Sequence, residues 1–275
     1  GDAGGSLGAS LAYWHLHLKK DRIISQFDSM NGSYLGLEFN QKEIETELLN
    51  LGAKFEVLNK DEILEKTSES IIKGDAIGWF QGRAEFGPRS LGNRSILGDP
   101  RSPNMQKILN LKVKYRESFR PFAPSVLEKD TKDWFEINIE SPYMLMVANV
   151  KSDKIFSMTE KEKKLFGIEK LNIKRSVIPA VTHVDYSARI QTVHHETNPL
   201  YYKLIAKFKE KTGCPILINT SFNVRGEPIV NTPKDAFNCF MGTELDMLVI
   251  GNCILHKNEQ DKDLQKNYKN KFELD

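Results

Sequence analysis

Apolar residues recur at helical spacing in several stretches of the chain. Leu7, Leu11, Trp14 and Leu18 mark one helix near the start, and Ile44, Leu48 and Leu49 mark another over 41–50. The same periodicity predicts helices over 61–72, 104–111, 200–212 and 234–241. Short apolar runs at 55–58, 76–80, 143–150, 215–219 and 246–250 read as strands. The segment 181–193 alternates instead. Val184, Tyr186, Ala188 and Ile190 fall on one side, and His183, Asp185, Ser187, Arg189 and Gln191 on the other. A period of two sets those five polar groups in one row. The other reading of that row is the wet face of an edge strand. Strands and helices interleave, which predicts an α/β or α+β fold built on a mixed sheet. Residues 20–38 read as loop, 151–174 as a charged, partly helical excursion, and the residues after 255 as a charged tail that frays.

Charge changes this picture in one place. The whole chain is balanced, with a formal net charge of +2, so a general nucleic-acid coat is not expected. Residues 78–126, however, hold Arg83, Arg89, Arg94, Arg101, Arg116 and Arg120 with Lys107, Lys112 and Lys114, against Glu85, Asp99 and Glu117. Two such cations roughly 6 Å apart at an effective dielectric of about 20 repel by on the order of 3 kcal/mol. An anion filling a shared cleft offsets that repulsion, and arginine's planar fork suits phosphate oxygens. A solvated basic surface is the alternative. Gly87-Pro88 and Gly98-Asp99-Pro100 speak against it, because turns fix where the arginines point.

Other candidate chemistry is sparse. An apolar strand in CPILINTSFNVRGEPIV ends at Asn219, and Thr220, Ser221 and Asn223 follow at once. Ligands of α/β sheets sit beyond such strand ends, although an ordinary Asx or Ser turn has the same composition. The Gly-rich stretch 1–8 fits neither a dinucleotide fingerprint nor a phosphate-binding loop of the GxxxxGK kind. Asp2 within it is a candidate metal ligand whose partners lie elsewhere. The chain opens inside that Gly-rich loop, so it reads as the carboxyl-terminal piece of a longer protein. His15 and His17 lie two apart on a helix, His194 and His195 are adjacent, and no GxSxG elbow occurs. Cys214, Cys239 and Cys253 are dispersed, which fits a reducing cytoplasm better than a zinc site or disulfide framework. No apolar run is long enough to span a bilayer, so no membrane partner is expected. The chemistry left is positioning and charge neutralisation of phosphates, as in phosphoryl or nucleotidyl transfer.

Four segments carry a resemblance: GRAEFGPRSLGNRSILGDPR, KYRESFRPFAPSV, HVDYSARIQTV and NTSFNVRGEPIVNTPKDAF. They resemble the carboxyl-terminal domain of the NodU/tobramycin-type O-carbamoyltransferases, and GDAGGSLGASL resembles the end of that family's preceding actin-like domain. The likeness runs from residue 1 to about Asn252. Ser10 and Ser90 stand where alanine is usual, and Tyr186-Ser187 where Gly-Thr is usual. Tyr186 is expected to point away from the polar row.

The resemblance implies an actin-like remnant over 1–25, a YrdC-like domain over 26–255 and a charged tail over 256–275. The fold it implies is α/β, a mixed twisted sheet with flanking helices around a basic cleft. It further implies that ATP with Mg2+ activates carbamoyl phosphate to a carbamoyl-adenylate, with pyrophosphate and phosphate leaving. The missing actin-like domain of the same protein then transfers the carbamoyl group to an acceptor hydroxyl. Lys114, Arg120, Arg189, Ser221 and Asn223 match the catalytic positions. Arg89 and Arg116 join Lys114, Ser221 and Asn223 at the nucleotide. Asp2 matches a ligand of iron or a similar metal, held only in the intact protein. YrdC-like relatives also act in tRNA modification, so an RNA-binding module is the rival reading. A regulatory nucleotide-binding domain without turnover is a third.

Overall fold

The computed structural model describes residues 4–25, 28–268 and 272. Among them, one mixed sheet contains β1 (Glu56–Val57), β2 (Ile77–Phe80), β3 (Arg94–Gly98), β4 (Ala123–Leu127), β5 (Met146–Asn149), β6 (Ser187–Val193), β7 (Ile216–Ser221), β8 (Met247–Ile250) and β9 (Cys253–His256). Their spatial order is β1-β9-β8-β2-β3-β7-β4-β6-β5. The pairs β2–β8 and β4–β6 run parallel and the others antiparallel. The predicted α/β class with a mixed sheet and flanking helices is what the chain adopts.

The helices form where period and caps agree. α2 (Gln41–Asn50) opens with an Asn40/Glu43 capping box and buries Ile44 and Leu48. α3 (Lys60–Lys73) opens with an Asn59/Glu62 box and ends at Gly74, whose φ of 95° favours glycine. α8 (Pro199–Thr212) packs on α3, and α9 (Pro233–Gly242) packs on α2. Each such cap is worth roughly 0.5–2 kcal/mol. Between helices and sheet, Trp79, Phe80, Phe208, Phe222, Phe237 and Phe240 are fully or almost fully buried. Gly78 is required in β2, because a Cβ there would come within 2.7 Å of the Phe222 ring.

The structure corrects the sequence reading in three places. The alternating segment 181–193 is a strand only from Ser187. Before it, His183 N–H donates to the Ser187 carbonyl, Tyr186 has φ 65°, and the Asp185 carboxylate accepts from both Ser187 N–H and Oγ. Asp185 thus makes a local turn that competes with the ladder. The polar row is therefore broken: His183 and Asp185 belong to a turn, and only Ser187, Arg189 and Gln191 share a strand face. Next, β3 and β4 form within the basic run, and β9 forms just beyond the 246–250 strand, where no element was expected. Finally, the tail does not fray at 256. Gln260 bonds both the N–H and the carbonyl of Lys54, and Tyr268 packs over Gly242.

Other segments match expectation. The excursion 151–174 is exposed and carries two short helices, α6 (Glu160–Lys163) and α7 (Gly167–Leu171). Near the start, α1 (Gly5–Ala12) continues as a π-helical turn over Tyr13–His17 and buries no residue. No helix among the described residues is long and apolar enough to cross a membrane.

Candidate active site

The residue that organises the site is Lys114. It follows α4 (Met105–Ile108) and a π-helical turn over Leu109–Val113, whose apolar side chains Leu109 and Val113 are buried. That anchoring drives the lysine itself inside, to 3% exposure. Its Nζ donates to the Ser221 carbonyl (2.7 Å) and hydroxyl (3.1 Å), and to the Asn223 carbonyl (2.8 Å) and side-chain oxygen (2.5 Å). Ser221 Oγ in turn donates to Asn223 Oδ1 at 2.7 Å, and Asn223 Nδ2 to the Glu227 carbonyl at 2.6 Å. Strand β7 delivers Ser221, and the turn after it delivers Asn223. Burial pulls the Lys114 ammonium down to about 7, with the neighbouring Arg116 charge second. Four oxygens nonetheless face it, and an ammonium has three protons to share among them.

Above this floor opens a cavity of about 620 Å³. Lys114, Arg116, Arg120 and Arg225 line it, with Ser221 and Asn223. Arg116 donates to Asn110 Oδ1 at 2.7 Å and lies over the Phe122 ring. Burial, then Arg120, holds its guanidinium down at about 10. Glu117 bridges Arg120 (2.9 Å) and Arg225 (3.2 Å), so one acid fixes the spacing of two cations. The chamber has the size of a small-molecule site. Its chemistry is that of an anion site: donors and fixed positive charge, with a hydroxyl and a carboxamide at one end.

Arg89 and Arg189 are placed differently. Neither lines the cavity. Burial holds the Arg189 guanidinium below the usual arginine range, and the charge of Arg89 adds to the effect. Burial lowers Arg89 as well. Buried polar contacts tie β6 to the cavity strand: Gln191, two residues after Arg189, accepts from Ser125 Oγ (2.5 Å) and from Asn219 Nδ2 (2.8 Å), and Asn219 precedes Ser221 by two.

Other arginines of the basic run do not converge on a cleft. Arg94 is fully buried, stacks on the Phe80 ring at 3.5 Å and donates to the carbonyls of Gln81, Asn93, Leu37 and Gly82. Arg101 is spent on a two-pronged pair with Asp99, and Arg83 pairs with Glu38 on the surface. The Ser187 hydroxyl donates to Asp185, and His183 Nδ1 stands 3.2 Å from it. Sequence reasoning passed over Arg225, Glu117 and Glu227. Arg225 was legible in principle, because it sits two residues beyond Asn223 and just before Gly226, whose φ is 76°. Asp2 lies outside the described residues. Among the described residues no group of three or more His, Cys, Asp or Glu side chains is placed to hold a metal ion.

Residues 68–257 match the family described as Carbamoyltransferase C-terminus. Over its whole length the chain is 53% identical to an uncharacterised protein of Synechocystis sp., of which it covers 45%. It is 42% identical to nodulation protein NolNO of Sinorhizobium fredii, over 79% of this chain and 30% of that protein. It is 34% identical to the 3'-hydroxymethylcephem-O-carbamoyltransferase of Streptomyces clavuligerus, over 67% of this chain and 31% of that enzyme. The chain thus spans less than half the length of each of these relatives. The match covers most of its residues, and the chain belongs to the carbamoyltransferase C-terminus family.

Proposed function

We propose that this chain binds ATP and carbamoyl phosphate around the Lys114 cavity and joins them as carbamoyl-adenylate. The observation that carries the reading is the buried Lys114–Ser221–Asn223 cluster beneath Arg116, Arg120 and Arg225. In the reaction, water releases phosphate from carbamoyl phosphate and leaves carbamate. A carbamate oxygen then attacks the α-phosphorus of ATP. The bond from that phosphorus to the bridging oxygen breaks, and pyrophosphate departs with the electron pair. The arginines neutralise the polyphosphate and hold attacker and leaving group in line, which is most of what such a transfer needs. Lys114 supplies a positive charge that strengthens as anionic charge gathers over it. Ser221 and Asn223 are placed to orient carbamate oxygens. Magnesium carried on ATP adds further neutralisation. No step here runs through iron.

The carbamoyl group then passes to an acceptor hydroxyl, as the name of the Streptomyces relative describes for that enzyme. We assign that transfer to an actin-like domain of the same polypeptide, and place the reaction in the cytoplasm with its phosphorylated substrates. Incubation with ATP, Mg2+ and carbamoyl phosphate should release pyrophosphate and phosphate in equal amounts. Mass spectrometry should detect carbamoyl-adenylate. ATP left intact, or cleaved equally well without carbamoyl phosphate, would refute the proposal.

A further inference from the structure

Helices commonly close on a left-handed residue, usually glycine and sometimes asparagine. The π-helical turn that ends just before Lys114 closes on a tyrosine instead. Tyr115 has φ 49°. A bulky side chain at positive φ is uncommon and persists only where its surroundings hold it there. The backbone on either side is held. Lys114 N–H donates to the Leu109 carbonyl (2.8 Å), Arg116 N–H to that of Asn110 (3.0 Å), and the Lys114 carbonyl accepts from Arg225 N–H (3.1 Å). Tyr115 itself is tied down by its hydroxyl, which donates to the carbonyl of Gly242 at 3.0 Å.

Gly242 is a firm anchor. It is the last residue of α9, and the final carbonyls of a helix need donors from outside it. Tyr115 meets this one, while Lys257 Nζ donates to those of Phe240 and Thr243. A Cβ at Gly242 would lie 2.3 Å from the Tyr268 ring, so the tail packs tight against the same residue. The consequence for the site is one of direction. In a continued helix, residues two apart point roughly 200° apart, so Lys114 and Arg116 would face opposite ways. Here both line the cavity of about 620 Å³. Tyr115 between them turns to the far side, where it lines a separate cavity of about 480 Å³ with Lys112, Gly242 and Lys257.

We propose that Tyr115 is a positioning residue: its hydroxyl, tied to the end of α9, holds the left-handed turn that aims Lys114 and Arg116 into one cavity. Tyr115 does not line that cavity, and it acts through its two neighbours. That the cavity receives ATP rests on the proposed function.

The test compares substitutions at this position in the full-length protein, chosen to separate the hydroxyl from the backbone it holds. Tyr115→Phe keeps the ring and removes the donor. Tyr115→Ala removes the ring as well. Tyr115→Gly also removes the ring, but glycine takes up positive φ without steric cost. Calorimetry with ATP should show about tenfold weaker binding in Tyr115→Phe, the worth of one hydrogen bond, and at least that loss in Tyr115→Ala. Affinity should return to within about threefold of native in Tyr115→Gly. If the ring's packing were what mattered, Tyr115→Phe would match the native protein and Tyr115→Gly would be among the weakest; that order overturns the proposal. So does a Tyr115→Gly as weak as Tyr115→Ala. If Tyr115→Gly does not fold, Tyr115→Asn, whose side chain tolerates the left-handed region, takes its place with the same criteria. A second readout needs no ligand: acetylation of Lys114 by acetic anhydride, mapped by mass spectrometry. The buried lysine should react slowly in the native protein and in Tyr115→Gly, and roughly severalfold faster in Tyr115→Phe and Tyr115→Ala, where the turn opens. Equal labelling in all of them would overturn the role of Tyr115 whatever ATP does. A native protein that binds no ATP yet shows this order of labelling would sink the functional reading and bear out the role of Tyr115.

Discussion

Lys114 should take up a proton when the cavity fills. In the empty protein, burial holds its ammonium at about 7, against an ordinary 10.5. Between about pH 7 and 10.5 the unfolded chain carries a proton on this lysine that the folded chain lacks, so stability rises with pH through the window. Below about pH 7 both states are protonated and the rise is absent. The gap corresponds to on the order of 5 kcal/mol of opposition to a buried charge. An anion over Lys114 opposes the desolvation that produces this shift and returns the group toward its ordinary value. At about pH 8 only roughly a tenth of the empty sites are protonated, so ATP binding should take up close to one proton per site. At about pH 6 roughly nine-tenths are already charged, and uptake should fall to about a tenth of a proton. Affinity should weaken by about tenfold per pH unit above 7 over the same range. Calorimetry in two buffers of different ionisation enthalpy reads the uptake. Lys114→Met supplies the correction for protons moved by the nucleotide and by other groups. Equal uptake in Lys114→Met and the native protein would refute the reasoning, because the proton would then come from elsewhere.

Three further outcomes are expected. Arg120→Ala breaks only a partly exposed ion pair with Glu117, worth about 0–1 kcal/mol. Its melting temperature should therefore hold while ATP affinity drops about tenfold to a hundredfold, the worth of one charge-assisted contact; a large melting shift with unchanged affinity would contradict this. Arg94→Met should do the reverse, costing on the order of 3 kcal/mol in urea unfolding, because it strips donors from four backbone carbonyls and the stack on Phe80. Binding to RNA should be weak and collapse as salt rises, whereas ATP binding should fall less; tight, salt-resistant and sequence-dependent RNA binding would favour the tRNA-modification reading.

The legible parts of this fold are those where local rules and tertiary packing agree. The apolar period of Ile44 and Leu48 marks α2 and turns it inward, and the Asn40/Glu43 and Asn59/Glu62 boxes start α2 and α3 where the period begins. Strand β3 was hidden because Arg94 looks like a ligand for anions, and only the Phe80 ring and four carbonyls from distant loops show it to be a core residue. Segment 181–193 misled for a related reason. Alternation is a statement about side chains, and the Asp185 carboxylate turned the backbone before the ladder could begin. At the site, Ser221 and Asn223 were visible as a strand-end motif, and Lys114 as part of the basic run. That they meet in one cluster depends on the packing of the Lys114 turn against the end of β7, which no local pattern encodes. The acids were the least legible. Glu85 and Glu117 look like incidental dilution of a basic run, yet one closes an arch of backbone N–H groups and the other spaces two arginines.

Adenylate formation from carbamoyl phosphate by this chain is what we propose. The most direct measurement is exchange of labelled pyrophosphate into ATP, with and without carbamoyl phosphate, on the native protein and on Lys114→Met. Exchange should require carbamoyl phosphate and be lost in Lys114→Met while that variant stays folded. Exchange absent from the folded native protein, or undiminished without carbamoyl phosphate, would contradict it.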